Sequence, residues 1–195
     1  MQMFELKSGD LLFVQPSAEK FSYLIAASTK YNPVKTEYTH VGLVARKNKN
    51  YFVLHADQKR GCIRQSLAAF VADQSKQAID VYRLADTQID FTQVIARAEA
   101  LLNQPYNHSF IKEQPGYYCS EFICEAFKES KVFHEVPMKF GPADTILPAW
   151  QKYYQKLDLP VPVGQLGSSP NSLIQQATVN KLKYLGHLKA ADFYS

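Results

Sequence analysis

Apolar and polar positions fall into short segments whose periods can be read one after another. Asp10-Leu11-Leu12-Phe13-Val14 is an apolar run behind Ser8-Gly9 and predicts a strand after a turn. Residues 17–29 suit a helix with Ser17 as N-cap, ended by Asn32-Pro33. Two β-rich runs follow, 40–45 and 51–56, around the polar stretch Arg46-Lys47-Asn48-Lys49-Asn50, and predict an antiparallel hairpin. Residues 66–74 read as a helix capped by Ser66, and 78–84 as a strand. Asp90 caps a helix with Val94, Ile95, Ala98, Leu101 and Leu102 on one side, closed by Pro105.

Residues 105–117 carry Pro105, Asn107, Pro115 and Gly116 and read as a loop. After it, 119–130 shows Phe122, Ile123, Ala126 and Phe127 at helical spacing, with Glu121, Glu125, Lys128 and Glu129 elsewhere on the wheel. From about 141 the recurrent Pro and Gly predict a loop-rich part, closed by a β-like run over 183–188. Trp150 is expected to be buried. There is no repeat, so the pattern predicts one α+β domain over 1–195 with an antiparallel sheet.

Composition narrows the function classes. With 46% hydrophobic and 21% charged residues, the 195-residue chain has the material for a core, which argues against disorder. A net charge of +4 without a basic block interleaved with aromatics argues against nucleic acid as partner. The first residues lack a signal-peptide pattern, and apolar runs fall far short of the roughly 20 residues that cross a bilayer. The expectation is a cytoplasmic chain without stable membrane insertion, or a periplasmic or secreted one if a leader has been removed. Oligomeric state is left open. Three cysteines, Cys62, Cys119 and Cys124, form no CxxC pair, so neither a disulfide framework nor a zinc framework is expected. A zinc site from His40, His55, His108 and a cysteine lacks metal-ligand spacing, and no cofactor is expected.

The thiols therefore need another explanation. Cys119 stands where the Pro/Gly loop enters a helix, so unpaired N–H groups there favour a thiolate and can hold an oxyanion. The competing reading is a free cysteine packed at a helix end. Cys124, one turn on, reads as core, and Cys62 stays open. A nucleophilic thiol needs a base. His40 opens one hairpin arm and His55 closes the other. A turn centred on Lys47-Asn48 would set 40 opposite 55, with both imidazoles on one face within hydrogen-bond reach. The alternative is two unrelated histidines at strand ends. Gly42 leaves room for a group to approach the strand.

Gly9-Asp10-Leu11-Leu12-Phe13, Tyr38-Thr39-His40-Val41-Gly42 and Tyr117-Tyr118-Cys119-Ser120-Glu121, in that order, resemble the permuted papain-like amidases of the YaeF/YiiX group, relatives of NlpC-type cell-wall enzymes. Ser169-Pro170-Asn171-Ser172-Leu173 is similar to that group's C-terminal segment, so the resemblance covers most of the chain. It implies a circularly permuted papain-like α+β fold with an antiparallel sheet packed against helices and the nucleophile at a helix N-terminus. His, third residue and Cys come in permuted chain order while the spatial arrangement is kept. By that resemblance Cys119 matches the nucleophile and His40 the general base. The group's third residue is often Glu; here the strand reads Val53-Leu54-His55-Ala56, and His is what many non-permuted relatives use. Asp57 is a second possible orienter.

The oxyanion donors implied are the Cys119 N–H and a second group, with Tyr38 and Tyr118 as candidates that also read as cleft wall. Ser120 and Glu121 read as first-turn residues. The implied activity is a cysteine amidohydrolase or peptidase acting on a small peptide or acyl-amide through an acyl-enzyme. Two alternatives are a lipid-directed thioesterase or acyltransferase at the same site, and a non-catalytic ligand-binding module.

Overall fold

The computed structural model describes residues 4–17, 28, 37–85, 88–142, 145–179 and 182–188. Most of the helix expected over 17–29 lies outside the described residues. Six strands form one antiparallel sheet: β1 (Leu11–Val14), β2 (His40–Lys47), β3 (Asn50–Asp57), β4 (Gly61–Ser66), β5 (Ile79–Leu84) and β8 (Leu182–Leu188), in the order β4-β3-β2-β1-β5-β8. A second, two-stranded sheet joins β6 (Val136–Pro137) and β7 (Leu166–Gly167).

Helices cover both faces of the large sheet, and strand alternation decides which residues meet which helix. Leu11, Phe13, Val41, Leu43, Ala45, Leu54 and Ala56 join a core with α2 (Phe91–Ala100) and α3 (Cys119–Ala126), through Val94, Ala98, Phe122, Ile123 and Ala126. The intervening residues Leu12, Val14, Val44 and Val53 pack with Leu67, Phe70 and Val71 of α1 (Leu67–Asp73). Ser66 caps α1 by accepting from the Ala69 N–H (3.2 Å), and Asp90 caps α2 by accepting from Thr92 (2.9 Å) and Gln93 (3.3 Å), as the sequence predicts.

Two expectations are corrected. The strand Gly61–Ser66 was not foreseen: Gly61-Cys62-Ile63-Arg64-Gln65-Ser66 alternates poorly and pairs by backbone to β3. The part expected to be loop-rich holds two ten-residue helices, α4 (Pro148–Leu157) and α5 (Pro170–Val179). Both begin with the prolines that read as breakers, because the first helical position needs no N–H donor and suits proline's fixed φ. Trp150 is buried, as expected, in a small aromatic core with Phe140 and Tyr154. Among the described residues no helix is long and apolar enough to cross a membrane.

Candidate functional site

The hairpin brings the two predicted histidines together by a different register. Lys47 pairs with Asn50 and Leu43 with Leu54, so the turn is Asn48-Lys49, with Asn48 in the left-handed region at φ 58°. This register is two residues away from the one that sets 40 opposite 55. Because side chains alternate with period two, His40 and His55 keep a common face and become diagonal neighbours. His40 Nε2 lies 2.9 Å from His55 Nδ1, with the rings 5.1 Å apart at 81°. Gly42 sits between them: a Cβ there would lie 3.5 Å from His55 Cβ and 2.5 Å from Val53 Cγ1. Glycine at this position opens the diagonal. Phe70 of α1 closes the pair from below, stacked on His40 (6.1 Å) and edge-on to His55 (5.1 Å).

Burial disfavours the charged form of both rings. It holds His40 well below its ordinary value, helped by the neighbouring His55. It lowers His55 too, against an opposing hydrogen bond to Gln65. The pair is therefore neutral at neutral pH.

Cys119 is the first residue of α3, entered through the loop that crosses itself at Gly116. There φ is +91°, and a Cβ would lie 2.1 Å from the Pro105 carbonyl oxygen, so glycine is required. The Tyr117 N–H donates to that same carbonyl (3.1 Å), fixing the entry into the helix. The thiol is buried against β2. The backbone N–H groups of Val41, Ser120 and Cys119 itself favour the charged form of the sulfur. The β2–β3 ladder ends at Leu43–Leu54, which releases the Val41 N–H for this contact. The thiol thus touches the backbone of the residue that follows His40.

The helix start favours a thiolate, and burial acts the other way. Burial pushes the Cys119 thiol up to about 11, outweighing those N–H donors. Cys62 and Cys124 are pushed up to about 12, also by burial. Cys62 is fully buried in the core, and Cys124 packs half-buried against it.

Of the two tyrosines, Tyr118 lines a cavity beside Cys119 and accepts a hydrogen bond from the Ser168 N–H (2.9 Å). Tyr38 turns into the core instead: its hydroxyl donates to Asp80 Oδ2 (2.7 Å) and lies 2.9 Å from the Tyr82 hydroxyl, outside the cavity wall. Its backbone serves the site, because Asn171 accepts from the Tyr38 N–H (2.8 Å) and donates to its carbonyl (3.2 Å). The Ser169–Leu173 segment thereby pins the entry to β2. Asp57 is committed to its own turn, accepting from the N–H groups of Lys59 (3.0 Å) and Arg60 (2.9 Å) and from the Arg60 guanidinium (3.0 Å). Glu121, read as a first-turn residue off the apolar face, is buried and accepts from the Tyr118 N–H (3.3 Å), and burial pushes its carboxyl up to about 7.

The cavity beside Cys119 has a volume of about 120 Å³ and opens to solvent. Phe110, Met138, Phe140 and Trp150 supply apolar wall, and Tyr106 and Tyr118 bring hydroxyls. Tyr106, a cavity residue, was missed by sequence reasoning; an aromatic hydroxyl in the loop before α3 was the available signal. Burial raises its phenol far above the ordinary value, which keeps its proton at neutral pH. Among the described residues no group of three or more His, Cys, Asp or Glu side chains could hold a metal ion.

A crystal structure described as that of the metalloprotein YiiX from Escherichia coli O157:H7 shares this fold. It aligns over 95% of this chain and 99% of its own, with a TM-score of 0.76 at 19% sequence identity. No curated protein matches the chain. The model of the family described as permuted papain-like amidase enzymes, YaeF/YiiX, C92 family, matches residues 5–182. With the model covering nearly the whole chain, the protein belongs to this family of papain-like cysteine amidases and peptidases.

Proposed function

We propose that the protein hydrolyses an amide with an apolar acyl group, through an acyl-enzyme on Cys119 with His40 as general base. The observation that carries this reading is the thiol seated at a helix N-terminus against Val41, the residue after His40. His40 turns Nε2 to His55, which leaves Nδ1, the ring nitrogen nearer the main chain, for the thiol. The resting site is a neutral thiol beside a neutral imidazole, so the base must act during attack. Nδ1 takes the Sγ proton as sulfur adds to the carbonyl carbon. The tetrahedral oxyanion forms beside the N–H groups of the first turn of α3. His40 then gives its proton to the leaving nitrogen, the C–N bond breaks and a thioester remains. Water, losing a proton to His40, adds to the thioester and releases the acid and the thiol.

Cavity size and wall chemistry bear on the acyl group. A volume of about 120 Å³ is close to the roughly 150 Å³ of a cavity that holds one benzene. A phenyl ring or a short aliphatic chain fits; a long fatty chain would have to continue into solvent. The same site could cleave thioesters, since the apolar wall recognises the acyl group and ignores the leaving group. A panel of benzoyl, hexanoyl and palmitoyl anilides, the matching thioesters and an acidic peptide tests this. Expected are turnover of the benzoyl and hexanoyl amides and an acyl adduct on Cys119 in acid-quenched protein. The adduct should be absent from Cys119→Ala. Turnover surviving Cys119→Ala, or an adduct on Cys62 or Cys124, would sink the reading. Cleavage of thioesters alone would move it to a thioesterase.

A further inference from the structure

The imidazole pair does not end at His55. His55 Nε2 lies 3.1 Å from Gln65 Oε1, and Gln65 Nε2 donates to Asp73 Oδ2 at 2.7 Å. Arg60 donates to Asp73 Oδ2 (2.8 Å) and reaches Gln65 Oε1 at 3.4 Å. His55 and Gln65 are buried, whereas the Asp73 and Arg60 side chains are 47% and 45% exposed. A hydrogen-bonded chain therefore runs from a surface ion pair through buried His55 to His40.

Each link has only one direction. A carboxylate accepts and a guanidinium donates. The Gln65 amide must point its NH₂ at Asp73 and its oxygen at Arg60, because the flipped amide would set oxygen against carboxylate. With Oε1 facing His55, that contact needs a proton on His55 Nε2. Neutral His55 then has a bare Nδ1, which can only accept, so His40 Nε2 carries the proton between the rings. Neutral His40 is left with a lone pair on Nδ1.

We propose that Gln65 and Asp73, held by Arg60, are positioning residues that set the tautomer of His40, so that its Nδ1 is the basic nitrogen. The role in turnover rests on the function proposed above; the tautomer itself does not. The charged groups that face His55 are Asp57, Arg60 and Asp73, and its ring partner is His40. Of the three, Asp73 alone accepts from Gln65, so the direction of the chain originates there.

The test is nitrogen-15 NMR of the ring nitrogens at neutral pH, with kinetics on the benzoyl anilide. In the wild type, His55 and His40 should both be protonated on Nε2 and bare on Nδ1. A His40 protonated on Nδ1 would overturn the proposal. Asp73→Asn, at a half-exposed position, removes the acceptor-only end, so a mixture of His40 tautomers should appear. With it kcat should fall about tenfold at nearly constant KM. Unchanged tautomers in Asp73→Asn would overturn the proposal as well. Gln65→Glu keeps an acceptor for His55 and should retain the wild-type tautomer, whereas Gln65→Leu should not. If both behave alike, Gln65 is a packing residue and the proposal fails. Run on Cys119→Ala protein, the NMR test is independent of activity. A wild-type tautomer in an inert enzyme would condemn the hydrolase reading and leave this one standing.

Discussion

The two faces of the large sheet bury similar aliphatic residues yet present opposite chemistry to the candidate site. On the α3 face, Val41, Leu43 and Ala45 meet Phe122 and Ile123, and the polar feature is the helix start that carries Cys119. On the α1 face, Phe70 lies under two imidazoles, from which a polar chain leads to charged residues at the surface. The thiol comes from the first face and the imidazoles from the second. Cys119 lies against Val41, next along the strand from His40, past the point where the β2–β3 ladder stops at Leu43–Leu54. One face thus holds the candidate nucleophile, a thiol that burial keeps protonated. The other holds the candidate base, in a pair tied to groups that water and salt can reach.

The strongest way to break this division is to remove the base. His40→Ala should lower kcat by about 10² to 10⁴-fold while leaving the fold and the Cys119 surroundings intact, as read by circular dichroism and turnover of the benzoyl anilide. A loss below threefold would mean that the α1 face has no part in the reaction. Gly42→Ala acts on the diagonal itself. Its Cβ would meet Val53 Cγ1 at 2.5 Å, so the β2–β3 pair must shift. Urea unfolding should show a loss of about 1–3 kcal/mol, the usual range for overpacking. Turnover should drop in the same variant, because His55 moves away from His40. A stable and fully active Gly42→Ala would show that the diagonal contact is dispensable.

The pH profile sharpens the comparison. On the proposed mechanism His40 acts when neutral, and its value lies below the ordinary 6.5. Activity should therefore persist as pH falls past 6.5 and be lost only further down. On the alkaline side the thiol stays protonated past its ordinary 9.0, because it is pushed up to about 11. A plateau spanning pH 6.5 to 9 is expected; a bell with an acid limb above 6.5 would indicate a thiolate–imidazolium pair instead. The same shifts bear on folding. Below 6.5 the unfolded chain takes up protons that the native His40 and His55 refuse, so stability should decline as pH falls through that range. The smallest effect belongs to Cys124→Ala, which should change kcat by less than about twofold, as a packing residue away from the chemistry.

Local pattern made one half of this comparison legible and concealed much of the other. Cys119 at a loop-to-helix junction and two histidines at hairpin ends are visible in sequence because capping and period-two alternation are local rules. The hairpin register was misjudged because the turn falls one residue later than expected, on Asn48-Lys49 with Asn48 left-handed, and the resulting two-residue error left the face unchanged. The charge state of Cys119 was not legible. It depends on burial against β2, beside a cavity that reaches Trp150, which no spacing encodes. Gln65 and Asp73 escaped for the same reason: they lie on β4 and α1, and their relation to His40 exists only after the strands pair. The helices α4 and α5 hid behind Pro148 and Pro170, which initiate where they seemed to interrupt.

The buried, protonated thiol has a consequence for oxidative damage. Peroxides attack the thiolate, and sulfenic acid forms fastest at exposed cysteines of low pKa. Cys119 is 6% exposed and pushed up to about 11, so it offers an oxidant little of either. Under peroxide, dimedone capture should find Cys119 modified more slowly than a free cysteine peptide at the same pH. On the proposed mechanism the sulfur becomes nucleophilic when a carbonyl and its base are both in place, and is spared between turnovers.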